Sequence, residues 1–118
     1  MEYTELDVWK ESRKLVKDVY NLLLGFPKRE DFGLVDQMRR CVISIPSNIA
    51  EGIGRRTAPD TIQFLYISRG SLYELETQLY LALDQKYVHE KDFEKTLNQI
   101  TNCKKLLNGF INYYKSKS

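Results

Sequence analysis

The stretch SIPSNIAEGIGRR, residues 44–56, interrupts a chain that otherwise has the pattern of long amphipathic helices. It contains a proline, two glycines, two serines and an asparagine. Such residues weaken a helix, by about 3 kcal/mol for an interior proline and about 1 kcal/mol for a glycine. Three explanations compete for it: a catalytic loop, a phosphate-binding loop, and a joint where another helix packs closely.

The flanking sequence predicts four helices, because apolar residues recur at intervals of three, four and seven. The predicted helices cover about 5–26, 33–55, 59–86 and 90–115. Pro27 ends the first, and Thr57 with Pro59 forms a cap for the third. Short connections between long helices favour an all-α fold, an antiparallel up-down-up-down four-helix bundle, as a single domain over residues 1–118.

The first helix is predicted to bury one continuous apolar stripe. Its main members are Trp9, Val16, Val19, Leu23 and Phe26, and the residues that widen it are Val8, Leu15 and Leu22.

The composition agrees with one small domain of 118 residues, 42% hydrophobic and 29% charged. Eighteen lysines and arginines against sixteen acids give a net charge of +2, which is too small to identify a nucleic-acid binder. No apolar run is long enough to span a membrane, so we expect a soluble, cytoplasmic protein. Cys41 and Cys103 are expected to be small buried hydrophobic residues.

The sequence offers no constellation of residues for catalysis. His89 is the only histidine, no glutamate precedes it by three residues, and it is a poor base for Ser44, Ser47 or Ser71. The glycines in residues 52–54 lack the preceding strand and the GK[ST] ending of a phosphate loop. We therefore expect a non-enzymatic protein with no metal site, no cofactor and no small-molecule substrate.

One polar stripe runs along the second helix when residues are placed at about 100° intervals. It consists of Gln37, Arg40, Ser44, Ser47, Asn48, Glu51 and Arg55. Ile43 and Ala50 form a small apolar patch outside the main core. Pro46 leaves the Val42 carbonyl without its helical donor and is expected to bend the helix, and Asn48 or a serine hydroxyl could fill the gap.

The third helix has small residues, Ser68, Gly70 and Ser71, that would let another helix come close. Its charged residues are expected to meet Asn48, Glu51 or Arg55 of the second helix. We expect close packing around the proline, with a partly buried polar network between the two helices or between subunits. The residues proposed for this joint are Ser44, Pro46, Asn48, Glu51, Gly52, Arg69, Gly70, Ser71, Glu74 and Glu76. Replacing Gly70 with leucine should then collapse stability or assembly.

Four tyrosines, Tyr66, Tyr73, Tyr80 and Tyr87, are spaced seven residues apart. This spacing predicts a slowly drifting row along the third helix. The rings could cover apolar surface while their hydroxyls stay hydrated, or they could form an interface between subunits. The sequence leaves both interpretations open.

Two motifs resemble a known family: QxRRxxxSIPSNIAEGxGR at residues 37–55 and FLxISRGSLxELETQL at residues 64–79. The family is named after the 23S ribosomal RNA intervening-sequence protein, and the resemblance covers essentially the whole chain. It implies a four-helix bundle that assembles into a ring-like homopentamer. It also implies kinship with accessory proteins of diversity-generating retroelements, which look like binders of nucleic acid and reverse transcriptase. The resemblance brings no catalytic residue.

Two functions follow as hypotheses. The first is an oligomer that binds RNA or a ribonucleoprotein through exposed cations, with binding that weakens steeply with salt. Its candidate contacts are Arg39, Arg40, Arg55, Arg56, Lys10, Arg13, Lys14 and Lys17. The second is a structural or protein-interaction oligomer without nucleic-acid binding, in which the arginines mainly satisfy Glu51, Glu74 and Glu76.

Overall fold

The computed structural model describes residues 2–117, and within them it shows four helices and no strand. The helices are α1 (Asp7–Leu23), α2 (Leu34–Ile53), α3 (Ala58–Asp84) and α4 (Glu90–Lys115). Single 3-10 turns at Tyr3–Glu5 and Lys28–Glu30 precede α1 and α2. Sequential helices pack side by side, α4 returns to α1, and the diagonal pairs come no closer than 8 Å between Cα atoms. The fold is the predicted four-helix bundle, with helix ends shifted by a few residues at most.

The turns between the helices use local signals. Thr57 is extended and its hydroxyl accepts a hydrogen bond from the Asp60 amide at 3.3 Å, which is the predicted cap of α3. At the other end of α3, Lys86 adopts a left-handed conformation with φ of 62°. The Tyr87 amide then bonds back to the Ala82 carbonyl at 3.0 Å, as in a Schellman motif. His89 is exposed at the start of α4.

All four helices contribute to one apolar core. In α1 the buried residues include Val8, Leu15, Val19 and Leu23. Trp9 and Val16, which were predicted for the main stripe, are only partly buried at its edge. Both still pack against the core, so the predicted stripe is confirmed with its most buried residues at Leu15 and Val19.

Cys41 and Cys103 are buried and unpaired, as predicted. Among the described residues, no helix combines the length and the apolar character needed to cross a bilayer.

Candidate functional site

The contact between α2 and α3 is held by hydrogen bonds from small polar side chains of α3. Ser68 Oγ donates to the Ile45 carbonyl at 2.8 Å, and Thr61 Oγ1 donates to the Gly52 carbonyl at 2.7 Å. Both donors are buried. Because each bond runs from an α3 side chain to the α2 backbone, the two helices must lie close together.

Gly52 is the glycine that this closeness requires. A Cβ atom at Gly52 would lie 2.9 Å from the Cβ of Phe64 and 3.2 Å from the Thr61 carbonyl oxygen. Gly70 behaves differently, since a Cβ atom there would meet nothing within 4 Å and the residue is exposed. The predicted role of Gly70 in close packing against α2 is therefore wrong: Ser68 faces α2, and Gly70, two positions later, points outward.

Pro46 lies inside α2, which continues on both sides of it. Asn48 Nδ2 donates to the Ser44 carbonyl at 2.8 Å, and not to the Val42 carbonyl that Pro46 leaves without a donor. Ser44 Oγ lies 2.6 Å from the carbonyl oxygen of Cys41 and 2.6 Å from Ser71 Oγ. The expectation that one of these side chains would fill the gap at Val42 was wrong.

Two charged residues of α3 point to α4 and not to α2. Arg69 donates to Asn108 Oδ1 at 3.1 Å, and Glu76 pairs with Lys104 at 2.9 Å. The predicted contacts of these two residues with α2 are wrong. Tyr66 and Tyr73 lie beside the same two contacts, with Arg69 over the Tyr66 ring and Lys104 over the Tyr73 ring.

The positive charge of Arg55, just after α2, is balanced by an acid of α2 itself. Arg55 pairs with Glu51 one turn earlier at 3.2 Å, and its guanidinium lies 4.5 Å from the centre of the Phe64 ring. Within the described residues, a single hydrogen bond between α2 and α3 involves a side-chain carboxylate, and no ion pair joins the two helices. In that bond the Cys41 thiol donates to Glu74 at 3.6 Å. The predicted polar network between these helices is present, but hydroxyl, thiol and backbone groups form it instead of ion pairs.

Cys41 borders a groove of about 290 Å³ between α2 and α3, lined also by Gln37, Arg40, Ser44 and Glu74. Burial, and then the neighbouring Glu74 carboxylate, raise the pKa of the Cys41 thiol to about 12. A neutral thiol is a poor nucleophile. No group of three or more histidine, cysteine or acidic side chains placed to hold a metal ion occurs within residues 2–117.

The tyrosine row lies along the seam between α3 and α4, and cations or aromatic rings cover several of its members. Lys104 lies 4.1 Å from the ring centre of Tyr73, and Arg69 lies 4.8 Å from that of Tyr66. Tyr80 packs edge-on against Phe93 with a centroid distance of 5.0 Å, while Tyr87 lies beyond the end of α3 and donates from its hydroxyl to Glu30 at 2.8 Å. Tyr73 and Tyr80 remain about half exposed. This partial covering is compatible with either interpretation of the row.

A second groove, of about 340 Å³, lies between α1 and α2 and is mainly apolar. We call it the α1/α2 groove. Its lining comes from Tyr3, Trp9, Arg13 and Val16 on one side and from Ile43, Pro46, Ser47 and Ala50 on the other. Ile43 and Ala50 are the apolar patch that the sequence placed outside the core. The other apolar lining residues were not predicted for a groove, because Tyr3 had no assigned role and Trp9 and Val16 were assigned to the core.

The lysines of α1 lie on its exposed face. Lys10, Lys14 and Lys17 are exposed and make no ion pair with any described residue. Two of the three acids of α1 lie on the neighbouring edge of the helix, toward α4. Asp18 accepts from Gln99 at 2.6 Å, and the charge of Glu11 helps to raise the pKa of Cys103.

Two arginines extend this cationic surface toward α2. The Arg13 guanidinium lies 5.6 Å from the centre of the Trp9 ring, and that of Arg39, from α2, lies 5.5 Å from the centre of the Tyr20 ring of α1. We call Lys10, Arg13, Lys14, Lys17 and Arg39 the α1 strip.

The other predicted nucleic-acid contacts lie elsewhere. Arg40 pairs with Asp36 at 3.0 Å and borders the groove between α2 and α3. Arg55 and Arg56 lie exposed at the turn between α2 and α3. The eight candidate cations therefore form three groups, and the α1 strip is the largest.

The comparisons with known proteins agree with this architecture. The family model of the 23S rRNA-intervening sequence protein matches residues 4–109. A crystal structure of a protein with unknown function from the S23 ribosomal protein family, from Bacteroides thetaiotaomicron VPI-5482, superposes with a TM-score of 0.82 at 27% identity. The match covers 88% of this chain and 97% of that one. No curated protein matches the sequence. The chain belongs to the 23S rRNA-intervening sequence protein family.

Proposed function

We propose that this chain forms a non-enzymatic homo-oligomer that binds RNA, free or in a ribonucleoprotein, through the α1 strip. The observation that carries the proposal is the row of three exposed lysines on α1, none of which makes an ion pair with a described residue. The family name also refers to ribosomal RNA. Such a function would place the protein in the cytoplasm.

Assembly strengthens the electrostatic argument. One chain carries a net charge of only +2, so a single strip would bind phosphates weakly. Several copies, five if the family resemblance holds for assembly, would present several strips to one RNA. Linked weak contacts raise the overall affinity without any new contact.

A second candidate is an oligomer with a structural or protein-interaction role and no nucleic-acid binding. It is favoured by the ion pairs of Arg40 with Asp36 and of Arg55 with Glu51, which partly neutralise two of the candidate arginines. These pairs are exposed, and exposed pairs contribute at most about 1 kcal/mol. They would compete only modestly with a phosphate.

The test is fluorescence anisotropy with labelled 23S ribosomal RNA fragments over a series of salt concentrations. We expect binding at low salt and a fall in affinity that is linear in the logarithm of salt concentration. The triple variant K10Q/K14Q/K17Q should bind at least tenfold more weakly. Its salt slope should also fall by about 0.7 to 0.9 for each phosphate contact removed.

The matched control is K91Q/K95Q/K105Q, which removes the same charge from exposed positions of α4. It should keep most of the affinity and the salt slope. Equal losses in both variants would show that only net charge matters and would contradict the assignment to the α1 strip. Flat anisotropy for the unaltered protein at low salt would leave the second candidate function.

A further inference from the structure

One aromatic side chain is almost wholly outside the bundle. Phe32, in the connection between α1 and α2, is 99% exposed. Asp31 beside it is exposed and has no ion-pair partner in the described chain. A single exposed apolar residue is common on protein surfaces, so Phe32 becomes informative only together with a place that could receive it.

The α1/α2 groove has the properties of such a place. Its volume of about 340 Å³ and its lining by Trp9, Val16, Ile43 and Ala50 suit an aromatic ring. Arg13 also lines the groove, which gives one wall a positive charge. An acidic residue next to an inserted ring would therefore meet a complementary charge.

Phe32 cannot reach this groove in its own chain. It precedes α2, which begins at Leu34, and the groove begins on that helix at Ile43, nine residues further along. At 1.5 Å of rise per residue, this separates the start of α2 from the groove by about 14 Å, which is more than one side chain spans. A second copy of the chain has no such constraint.

We propose that Phe32 of one copy inserts into the α1/α2 groove of another copy, and that Asp31 then pairs with Arg13. The inference rests on the homo-oligomeric state of the proposed function and names one contact that builds it. Because the inserted residue and the groove are different patches, the contact is heterologous. Repeated head to tail, a heterologous contact closes into a ring.

The contact takes Arg13 from the α1 strip but leaves its three lysines free. At about 100° per residue, Trp9, Arg13 and Val16 share one edge of α1, and Lys10, Lys14 and Lys17 lie further round the helix. A copy seated in the groove would approach the edge that carries Arg13. The lysines would stay open on the outside of the assembly.

The first experiment compares the mass in solution of the unaltered chain, Phe32→Asp and Ile67→Asp by light scattering after size-exclusion chromatography. Ile67 is a matched control because it is 53% exposed on α3, away from the groove. We expect a multiple of the chain mass for the unaltered protein and for Ile67→Asp, and at least a tenfold weaker association for Phe32→Asp. Circular dichroism confirms that each variant is folded.

The outcomes separate this proposal from the proposed function. A single-chain mass for the unaltered protein overturns both the assembly and the Phe32 contact. An intact oligomer of Phe32→Asp, or an equal loss in Ile67→Asp, overturns only the Phe32 contact. RNA binding is tested separately by the anisotropy measurement.

A second experiment tests the groove through Trp9, the only tryptophan of the chain. On dilution, the fluorescence emission of Trp9 in the unaltered protein should shift to longer wavelength as the groove empties. In Phe32→Asp the emission of Trp9 should lie at this longer wavelength before dilution. Ala50→Phe fills the groove but keeps Phe32, so mixed with Phe32→Asp it should form a one-to-one complex. Absence of that complex, with both variants folded, overturns the proposal.

Discussion

The two sides of α2 differ in how completely they are covered. On the side of α3, hydroxyl groups reach the α2 backbone, and Gly52 leaves no room for a methyl group. On the side of α1, Ile43 and Ala50 line a groove of about 340 Å³, and Ile43 is 41% exposed. The contact of α2 with α3 is thus closed around Gly52, with a groove of about 290 Å³ further along at Cys41, and the contact with α1 is partly open at Ile43 and Ala50.

The same short stretch of sequence builds both sides. Ile45 and Gly52 serve the closed contact, and Pro46 and Ala50 serve the open one. Residues that weaken an isolated helix are acceptable here because tertiary packing supplies most of the stability of a helix in a protein. Small residues of α2 therefore have two effects. They let α3 approach on one side, and on the other side they leave the α1/α2 groove open enough to receive a side chain.

The largest effect should follow from adding a methyl group to the closed side. Gly52→Ala would place a Cβ atom 2.9 Å from that of Phe64, so α2 and α3 must separate or shift. We expect a loss of about 1 to 3 kcal/mol in the free energy of unfolding, as for other overpacked sites. Urea denaturation, with the midpoint and slope compared, measures it.

Gly70→Ala is the matched control on the exposed face of α3, where the new atom would meet nothing within 4 Å. It should stabilise the protein by about 0.5 to 1 kcal/mol, because alanine favours a helix more than glycine does. If Gly52→Ala stabilised the protein by a similar amount, the contact between α2 and α3 would have to be looser than described.

A smaller loss should follow from removing one hydroxyl of the same contact. Ser68 is fully buried, and its hydroxyl donates to the Ile45 carbonyl. Ser68→Ala should lower the free energy of unfolding by about 1 kcal/mol, the usual net value of such a bond. Ser47→Ala, at an exposed position beside the groove, should change it by no more than about 0.5 kcal/mol. Equal changes in thermal denaturation would remove the distinction between the two sides.

Most of the fold could be predicted from the sequence. Helical periodicity and the cap at Thr57 report on local geometry, which the chain determines within a few residues. The degree to which Trp9 and Val16 are buried has another origin. Residues at the edge of an apolar stripe are buried or exposed according to how far the helix is rotated against its neighbours, and that rotation is a tertiary property.

The site was less predictable for the same reason. Gly52 and Gly70 look alike in sequence, and only the rotation of α2 against α3 decides which one is packed. The spacing of Arg69 and Glu76, seven residues apart, places both on one face of α3, but only the packed structure shows that this face meets α4. For Phe32, no periodic pattern could indicate exposure, because it lies in a connection.

The smallest effect concerns the connection that presents Phe32 on the open side of α2. Glu30 accepts hydrogen bonds from the Leu34 amide at 3.2 Å and from the Tyr87 hydroxyl at 2.8 Å, and so ties this connection to the one after α3. These two bonds, the Leu34 amide first, lower the pKa of the Glu30 carboxyl. The folded state therefore binds this proton less readily than the unfolded state. The resulting stability is present at neutral pH and is lost as the pH falls through the folded-state pKa.

Glu30→Gln keeps the size of the side chain but removes its charge. It should melt slightly below the unaltered protein at neutral pH, and the two melting temperatures should converge as the pH is lowered, because the wild-type carboxylate becomes protonated. Glu94→Gln, at an exposed position of α4, is the control and should show no such convergence. Thermal melts followed by circular dichroism from neutral to acidic pH measure both. A difference in melting temperature between Glu30→Gln and the unaltered protein that stays constant with pH would contradict this prediction. It would mean that the hydrogen bonds of residue 30 stabilise the connection equally well without the negative charge.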